Sequence, residues 1–145
     1  MVAYSFKKFF VPQIVACIKR QTVRADRQRH AQPGEPVQLY QGMRTKHCQK
    51  ILADDPTCTA CEHIVIERTP GAILWIEING CTLKGDEVEQ FARDDGFAPE
   101  HITPLAPHLD SHQAMTNMAM FWDLTHDRRG AFEGRLIRWQ EEGKQ

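Results

Sequence analysis

Hydrophobic side chains recur along the chain at two different spacings, which predict helices and strands respectively. Apolar residues three and four positions apart occur over residues 9–19 and 83–92, so both segments are predicted to be short amphipathic helices. The same spacing continues from Met115 to Trp122, and Asp110 or Ser111 is predicted to cap the beginning of this third helix. The pattern therefore predicts about three helices.

The remaining apolar residues follow patterns that are typical of strands. Short strands are predicted at residues 21–24, 37–40 and 132–139, and two longer runs rich in β-branched residues, 60–68 and 72–79, flank a Thr-Pro-Gly turn and predict a hairpin. The result is an α+β domain with about five or six short strands. Strands that return to one another in this way usually curl into a small barrel.

Composition is typical of an ordinary globular protein. The chain has 145 residues, of which 41% are hydrophobic and 26% charged, and this length corresponds to a single domain over residues 1–145. Its apolar runs are much shorter than the roughly 20 residues that cross a bilayer. The first residues lack the pattern of an export signal, and five cysteines, an odd number, do not suggest a disulfide framework. The expected location is the cytoplasm.

Charge is distributed unevenly along the chain. Residues 1–50 carry 10 Lys and Arg against 2 Asp and Glu, whereas residues 51–145 carry 8 against 17, although the net charge is only −1. Basic residues that share one face create a local positive potential, and this potential attracts polyanions whatever the net charge is. A nucleic-acid partner is therefore compatible with the composition.

The order of segments in the first 50 residues resembles a known domain family. Residues 18–24 contain Lys19, Thr22 and Arg24, and they are followed by a Pro-Gly-Glu-Pro turn and a strand. This arrangement resembles the opening of the ASCH domain, a member of the PUA-like superfamily, with Glu35 where aspartate is usual. Residues 91–97 and 132–139 also resemble family segments in the expected order, and residues 42–48 are similar to ASCH proteins encoded by phages and prophages.

The resemblance implies a small PUA-like β-barrel with flanking helices and a basic cleft that holds RNA or a modified nucleoside. One ASCH branch is an amidohydrolase that removes the acetyl group from acetylcytidine with a Lys, Thr and Glu set, and another branch is associated with RNA cleavage. Carried over to this chain, the amidohydrolase set falls on Lys19, Thr22 and Asp95, with the shorter aspartate in place of glutamate. No cofactor is expected.

These three residues have a plausible chemistry and an ordinary structural alternative. A threonine hydroxyl attacks an amide carbonyl only when a base activates it, and lysine is such a base only if its pKa falls from about 10.4 towards neutrality. Partial burial and a nearby cation such as Arg24 would lower it. Alternatively, Lys19 is a solvated helix end, Thr22 an ordinary strand residue and Asp95 part of a helix-ending turn.

A second group of residues is suited to nucleic-acid binding. Guanidinium groups match phosphate oxygens, and an aromatic ring can stack on a base. Tyr40 and Lys46 are expected to line the same cleft as Lys19 and Thr22, and the alternative is a basic loop that balances the acidic half of the chain. The predicted nucleic-acid-binding residues are Arg24, Arg27, Arg29, Tyr40, Arg44 and Lys46.

The sequence also contains a Cys-x-x-Cys motif, formed by Cys58 and Cys61. Residues three apart on a strand point to opposite faces, so the two thiols are not expected to share one metal ion. No second Cys-x-x-Cys motif completes a tetrahedral set. We therefore predict no metal site and interpret these cysteines as small buried residues.

Together, these patterns favour an ASCH-type domain whose basic cleft binds RNA or a modified nucleoside. The same fold could instead carry an enzyme, either an amidohydrolase acting on acetylcytidine or a ribonuclease. A protein-interaction module that uses the acidic half of the chain is a third interpretation. None of the three involves a membrane.

Overall fold

Eight strands and four α-helices make up the part of the chain that the computed structural model describes, residues 2–126 and 131–141. The strands are β1 (Val2–Phe6), β2 (Gln21–Ala25), β3 (Val37–Gln41), β4 (Gln49–Lys50), β5 (Thr57–Thr69), β6 (Ala72–Ile78), β7 (Cys81–Thr82) and β8 (Phe132–Gln140). The helices are α1 (Val11–Val15), α2 (Gly85–Ala92), α3 (Pro99–Ile102) and α4 (Ala114–Thr125). A 3₁₀ turn, Lys8–Phe10, precedes α1, and a π-type turn, Arg93–Phe97, follows α2. The described part of the chain is thus an α+β fold.

The larger sheet is antiparallel and has five strands in the order β2-β8-β5-β6-β7. Its long β5–β6 hairpin and its closing strand β8 confirm the sequence predictions for these regions. Strand β8 pairs with β5 on one side and with β2 on the other, and Trp139, Ile137 and Leu136 are buried along it. This pairing fixes the position of β2, the strand that carries Thr22.

The smaller sheet has the order β1-β3-β4, with β1 and β3 parallel. Val2, Tyr4 and Phe6 alternate with less buried residues along β1 and face the core. The two sheets meet at one isolated bridge between Pro36 and Thr57, within the described residues. Proline has no N–H to donate, so a regular ladder does not extend through this position.

The predictions of five or six strands and of a barrel need correction. The described residues form eight strands, because β1 and the two-residue strands β4 and β7 were not predicted. The larger sheet has β2 and β7 at its edges and the smaller one has β1 and β4, so the strands are not closed into a barrel over these residues.

The helices cover the end of the molecule where the candidate site lies. Phe9 and Phe10 before α1, Phe97 after α2 and Phe121 on α4 form a cluster of edge-to-face and tilted rings with centroids 4.7–5.8 Å apart. Aromatic pairs at such distances are favourable beyond the area they bury. The cluster therefore joins three helical segments into one packed unit.

Helix α4 begins later than the sequence predicts. Its N-cap position is Gln113, not Asp110 or Ser111, and no side chain of that residue caps the helix. Instead, the Glu89 carboxylate of α2 accepts hydrogen bonds from the backbone N–H groups of Ala114 and Met115, at 2.8 and 2.9 Å. A carboxylate at a helix N-terminus satisfies two otherwise unpaired donors, so α4 is capped by another helix.

None of the helices in residues 2–126 and 131–141 has the length and hydropathy that a membrane-spanning helix needs.

Candidate functional site

A cleft of about 640 Å³ opens between β1, β2 and the C-terminal end of α4. Apolar rings from Phe6, Phe10, Phe97, Phe121 and Trp122 form much of its wall. Its polar and charged lining residues include Lys19, Thr22, Arg24 and Asp95. The cleft therefore contains all three residues of the predicted catalytic set, contributed by two separate parts of the chain, residues 19–22 and the turn that carries Asp95.

Lys19 lies at the buried edge of this cleft and is only 2% exposed. Its ammonium Nζ donates hydrogen bonds to the backbone oxygens of Gln21 and Asp95, at 2.8 and 2.6 Å. It lies 3.6 Å from Asp95 Oδ1 and 4.7 Å from the centroid of the Phe10 ring. This geometry excludes the alternative of a solvated lysine at a helix end.

The backbone after α1 turns sharply and places Lys19 there. Cys17 adopts a left-handed conformation with φ 62°, and the N–H groups of Ile18 and Lys19 both donate to the Gln13 backbone oxygen. The chain then enters β2 at Gln21. Lys19 therefore lies on a short connection fixed by both α1 and β2.

Asp95 approaches the lysine on the π-type turn that follows α2. Gly96 makes this turn possible with φ +103°, and its backbone oxygen accepts a hydrogen bond from Gln13 Nε2 at 3.0 Å. A Cβ at position 96 would lie 2.9 Å from the Phe10 ring and 3.0 Å from Lys19 Cδ. Glycine is therefore needed here both for its backbone conformation and for the close approach of the lysine stem.

Thr22 and Arg24 are two residues apart on β2 and so lie on one face of the strand. The Arg24 guanidinium donates from Nε to Thr22 Oγ1 at 2.9 Å and from Nη2 to the Ser5 backbone oxygen at 2.6 Å. The central carbon of the guanidinium, Cζ, lies 4.9 Å from the centroid of the Phe6 ring. The hydroxyl of Thr22 is thus oriented by a cation and directed towards the same cleft.

Burial controls the ionisation of this group. Burial lowers the pKa of Lys19 to about 8, although the negative charge of Asp95 opposes this change. Burial raises the pKa of Asp95, opposed by Lys19 and by the hydrogen bond from Gln21. Burial also lowers the pKa of Arg24, to about 10. Neutral pH lies below both of these pKa values, so Lys19 and Arg24 are both protonated there.

Gln21 belongs to the site although the sequence analysis did not select it. Its amide Nε2 donates to Asp95 Oδ1 at 3.2 Å, and its backbone oxygen accepts a hydrogen bond from Lys19. It therefore connects the lysine and the aspartate from β2. Its position within the Lys-x-x-Thr segment was the only signal in the sequence that could have identified it.

The C-terminal end of α4 contributes two aromatic rings to the cleft, and the sequence analysis predicted neither as a site residue. Trp122 and His126 lie one helical turn apart and stack with ring centroids 3.9 Å apart and planes 13° from parallel. Burial lowers the pKa of His126, and the charge of Arg68 adds to this effect. The pair contributes neutral aromatic rings to the lining of the cleft, which also contains Arg24 from β2.

Only one of the predicted nucleic-acid-binding residues, Arg24, lines the cleft. Arg27 lies over the ring of Tyr4 and donates to the backbone oxygens of Arg29 and Ala3. Arg29 forms an ion pair with Glu35. The loop cations are therefore occupied by contacts within the protein.

The other three members of that set also lie outside the described cleft. Tyr40, Arg44 and Lys46 are absent from its lining, and Arg44 and Lys46 are exposed. Gly42 and Met43 contribute from this segment instead. The expectation that Tyr40 and Lys46 line the cleft is thus wrong, because the chain leaves β3 through a turn that directs other residues into it.

The spacing argument for Cys58 and Cys61 also needs correction. A β-bulge between Cys58 and Ala60 shifts the register, so Cys58 pairs with Trp139 and Cys61 with Ile137. These partners are two residues apart on β8, which places both cysteines on one face. Within residues 2–126 and 131–141, no group of three or more His, Cys, Asp or Glu side chains could hold a metal ion.

Comparison with family models, curated proteins and solved structures finds no match to this chain. What the protein does must therefore be inferred from the cleft. Its chemical content is a buried lysine with a lowered pKa, a threonine hydroxyl, a buried aspartate and an arginine, all facing a cavity walled by aromatic rings.

Proposed function

We propose that the cleft around Lys19 binds a modified nucleoside. The observation that carries this proposal is the combination of buried polar groups and aromatic walls in a cavity of about 640 Å³. Ligand pockets are mostly apolar cavities of about 300–1,000 Å³ in which a few polar groups fix the orientation of the ligand. A nucleoside has a flat ring for the aromatic wall and several hydrogen-bonding edges for Thr22 and Arg24.

The resemblance of residues 18–24 to the ASCH pattern supports the same proposal. The Lys, Thr and Arg of that pattern fall on Lys19, Thr22 and Arg24, and these three side chains line the cleft. We propose on this basis that the two sheets are an open variant of a PUA-like fold. A single nucleoside fits the site better than a long RNA, because Arg27 and Arg29 are engaged within the protein.

Direct binding measurements test this function. Calorimetric titration of the full chain with N4-acetylcytidine, with cytidine and with a short single-stranded RNA should give saturable binding of the nucleosides. Thr22→Val keeps the shape of the side chain and removes the hydroxyl, so it should weaken binding by about 5- to 10-fold. Arg93→Gln, which alters a surface ion pair outside the cleft lining, is the matched control. Binding of RNA alone, unaffected by Thr22→Val, would contradict the proposal.

A second candidate function is hydrolysis of the acetyl group, and the lowered pKa of Lys19 beside Thr22 favours it. In this reaction Thr22 Oγ attacks the amide carbonyl while neutral Lys19 accepts the hydroxyl proton. The amine of cytidine leaves with a proton that Lys19 returns, and the acetyl group remains on Thr22. Water then releases acetate and restores the hydroxyl. The Asp95 backbone oxygen, 2.6 Å from Lys19 Nζ, holds the neutral amine in position.

Hydrolysis of N4-acetylcytidine to cytidine and acetate tests this candidate by chromatography. Because Lys19 must be neutral to act as the base, the rate should rise with pH and level off above about 8. Lys19→Ala and Thr22→Ala should each remove almost all activity, since the two residues act as a unit. Asp95→Glu restores the residue of the amidohydrolase pattern and should retain or raise the rate. Activity that persists in both alanine variants would assign the chemistry to other residues.

A further inference from the structure

Arg24 is half-buried and, unlike the buried cations Lys19 and Arg68, has no acidic group within ion-pair distance among the described residues. Lys19 lies 3.6 Å from Asp95 Oδ1, and Arg68 lies 2.6 Å from Asp123 Oδ1. The Arg24 guanidinium contacts a hydroxyl, a backbone oxygen and two aromatic rings, and no carboxylate of residues 2–126 or 131–141 lies within 4.0 Å of it. Charged groups that are removed from water usually have a partner of opposite charge, and Arg24 has none within 4.0 Å among the described residues.

The surroundings of Arg24 compensate its charge only in part, because Asp95 attracts it from beyond ion-pair distance and Arg27 opposes that attraction. Asp95 is the one acidic residue among the described residues that line the cleft, whereas Lys7, Lys19 and Arg24 are cationic there. That carboxylate is already shared between Lys19 and the amide of Gln21. The described lining residues of the cleft therefore carry more positive than negative charge.

The Arg24 guanidinium also has N–H groups that donate to no other group among the described residues. Arginine carries five N–H groups, of which Arg24 uses Nε for Thr22 and one on Nη2 for Ser5. Those two bonds fix the plane of the guanidinium, while the Phe6 ring supports it at 4.9 Å. A pre-oriented guanidinium with unused donors suits the two oxygens of a phosphate or carboxylate.

We propose that the ligand of this cleft carries an anionic oxygen group that pairs with Arg24, so that the ligand is a nucleotide with a terminal phosphate rather than a neutral nucleoside. This inference rests on the proposed nucleoside-binding function. It assigns Arg24 to the phosphate and leaves the aromatic wall of Trp122 and His126 to the base. The phosphate then supplies the negative charge that the described lining residues lack.

The test compares two ligands that differ only in the anion. Calorimetric titration of the wild-type chain with N4-acetylcytidine and with its 5′-monophosphate should show at least about 10-fold tighter binding of the monophosphate, because charge-assisted hydrogen bonds are the stronger kind. The difference should shrink as salt rises from about 0.05 to 0.5 M. This comparison needs no substitution, so it is decisive even if an Arg24 variant folds poorly.

Substitution of Arg24 then tests whether this residue causes the tighter binding of the monophosphate. Arg24→Gln should reduce the preference of the protein for the monophosphate over the nucleoside by about 10-fold, whatever it does to the binding of both ligands, and Arg24→Lys should retain part of that preference. Arg93→Gln is the control for a lost surface charge. Equal affinity of the wild type for the two ligands overturns this inference and leaves nucleoside binding in place. Absence of binding by either ligand contradicts the nucleoside-binding function itself.

Discussion

Replacing Lys19 by methionine tests whether the buried ion pair organises the cleft. Methionine keeps the length and most of the apolar stem of lysine and removes the ammonium group. The wild-type ammonium serves three acceptors, the backbone oxygens of Gln21 and Asp95 and the Asp95 carboxylate. The substitution removes this donor from all three acceptors. The Asp95 carboxylate then keeps its hydrogen bond from Gln21 Nε2.

The size of the effect follows from burial. The side chains of Lys19 and Asp95 are 2% and 7% exposed, so water cannot readily replace the lost partner. Removing one member of a buried ion pair costs about 3–5 kcal/mol, whereas the exposed pair of Arg93 and Glu100 should be worth no more than about 1 kcal/mol. Lys19→Met should therefore lower the free energy of unfolding by at least about 3 kcal/mol, and Arg93→Met should hardly change it.

Urea unfolding followed by tryptophan fluorescence measures both variants, because Trp122 and Trp139 are 3% and 2% exposed in the folded chain. The pH dependence identifies the cause. Without Lys19, the pKa of Asp95 rises further above its unfolded value of about 3.9. The destabilisation is then complete above the folded pKa and shrinks as pH falls and the carboxyl binds a proton. A loss below about 1 kcal/mol, or one that does not shrink as pH is lowered from about 7 towards the unfolded pKa of about 3.9, would refute the reasoning.

Three further substitutions test the elements that support the site. Glu89→Ala removes the carboxylate cap of α4 and should lower the free energy of unfolding by about 1–2 kcal/mol in urea titrations, with Glu89→Gln intermediate. Gly96→Ala combines a φ of +103° with a 2.9 Å clash, so it should lower the melting temperature and also weaken ligand binding. Tyr4→Phe removes a 2.8 Å hydrogen bond to His30 Nδ1 and should cost about 1–3 kcal/mol at neutral pH. Burial lowers the pKa of His30, so the wild type should lose stability as pH falls below about 6.5, where the unfolded chain binds the proton first.

The elements that the sequence predicts are those whose hydrophobic pattern extends over many residues of a single segment. The β5–β6 hairpin, β8 and the helices α2 and α4 follow from periodicity within one segment. Strand β1 also has an alternating pattern, with Val2, Tyr4 and Phe6 facing the core, and this pattern is typical of a half-buried strand. The two-residue strands β4 and β7 are too short to carry a period.

Features that depend on distant residues were not predictable from local pattern. The start of α4 is set by Glu89, which lies 25 residues before Ala114. The face shared by Cys58 and Cys61 depends on a β-bulge that pairing with β8 reveals. The contact of Lys19 with Asp95 spans 76 residues, and only the resemblance to the ASCH pattern connected the two positions beforehand.

The basic character of the first 50 residues did not predict which cations line the cleft. The first 50 residues are strongly basic, yet Arg29 pairs with Glu35 and Lys50 with Asp55, so part of the excess is balanced locally. What matters in the cleft is burial, because a charge interacts about four times more strongly at an effective dielectric constant of about 20 than in water. Arg24, partly buried and without an acidic partner among the described residues, should therefore influence ligand binding more than the exposed Arg44 and Lys46.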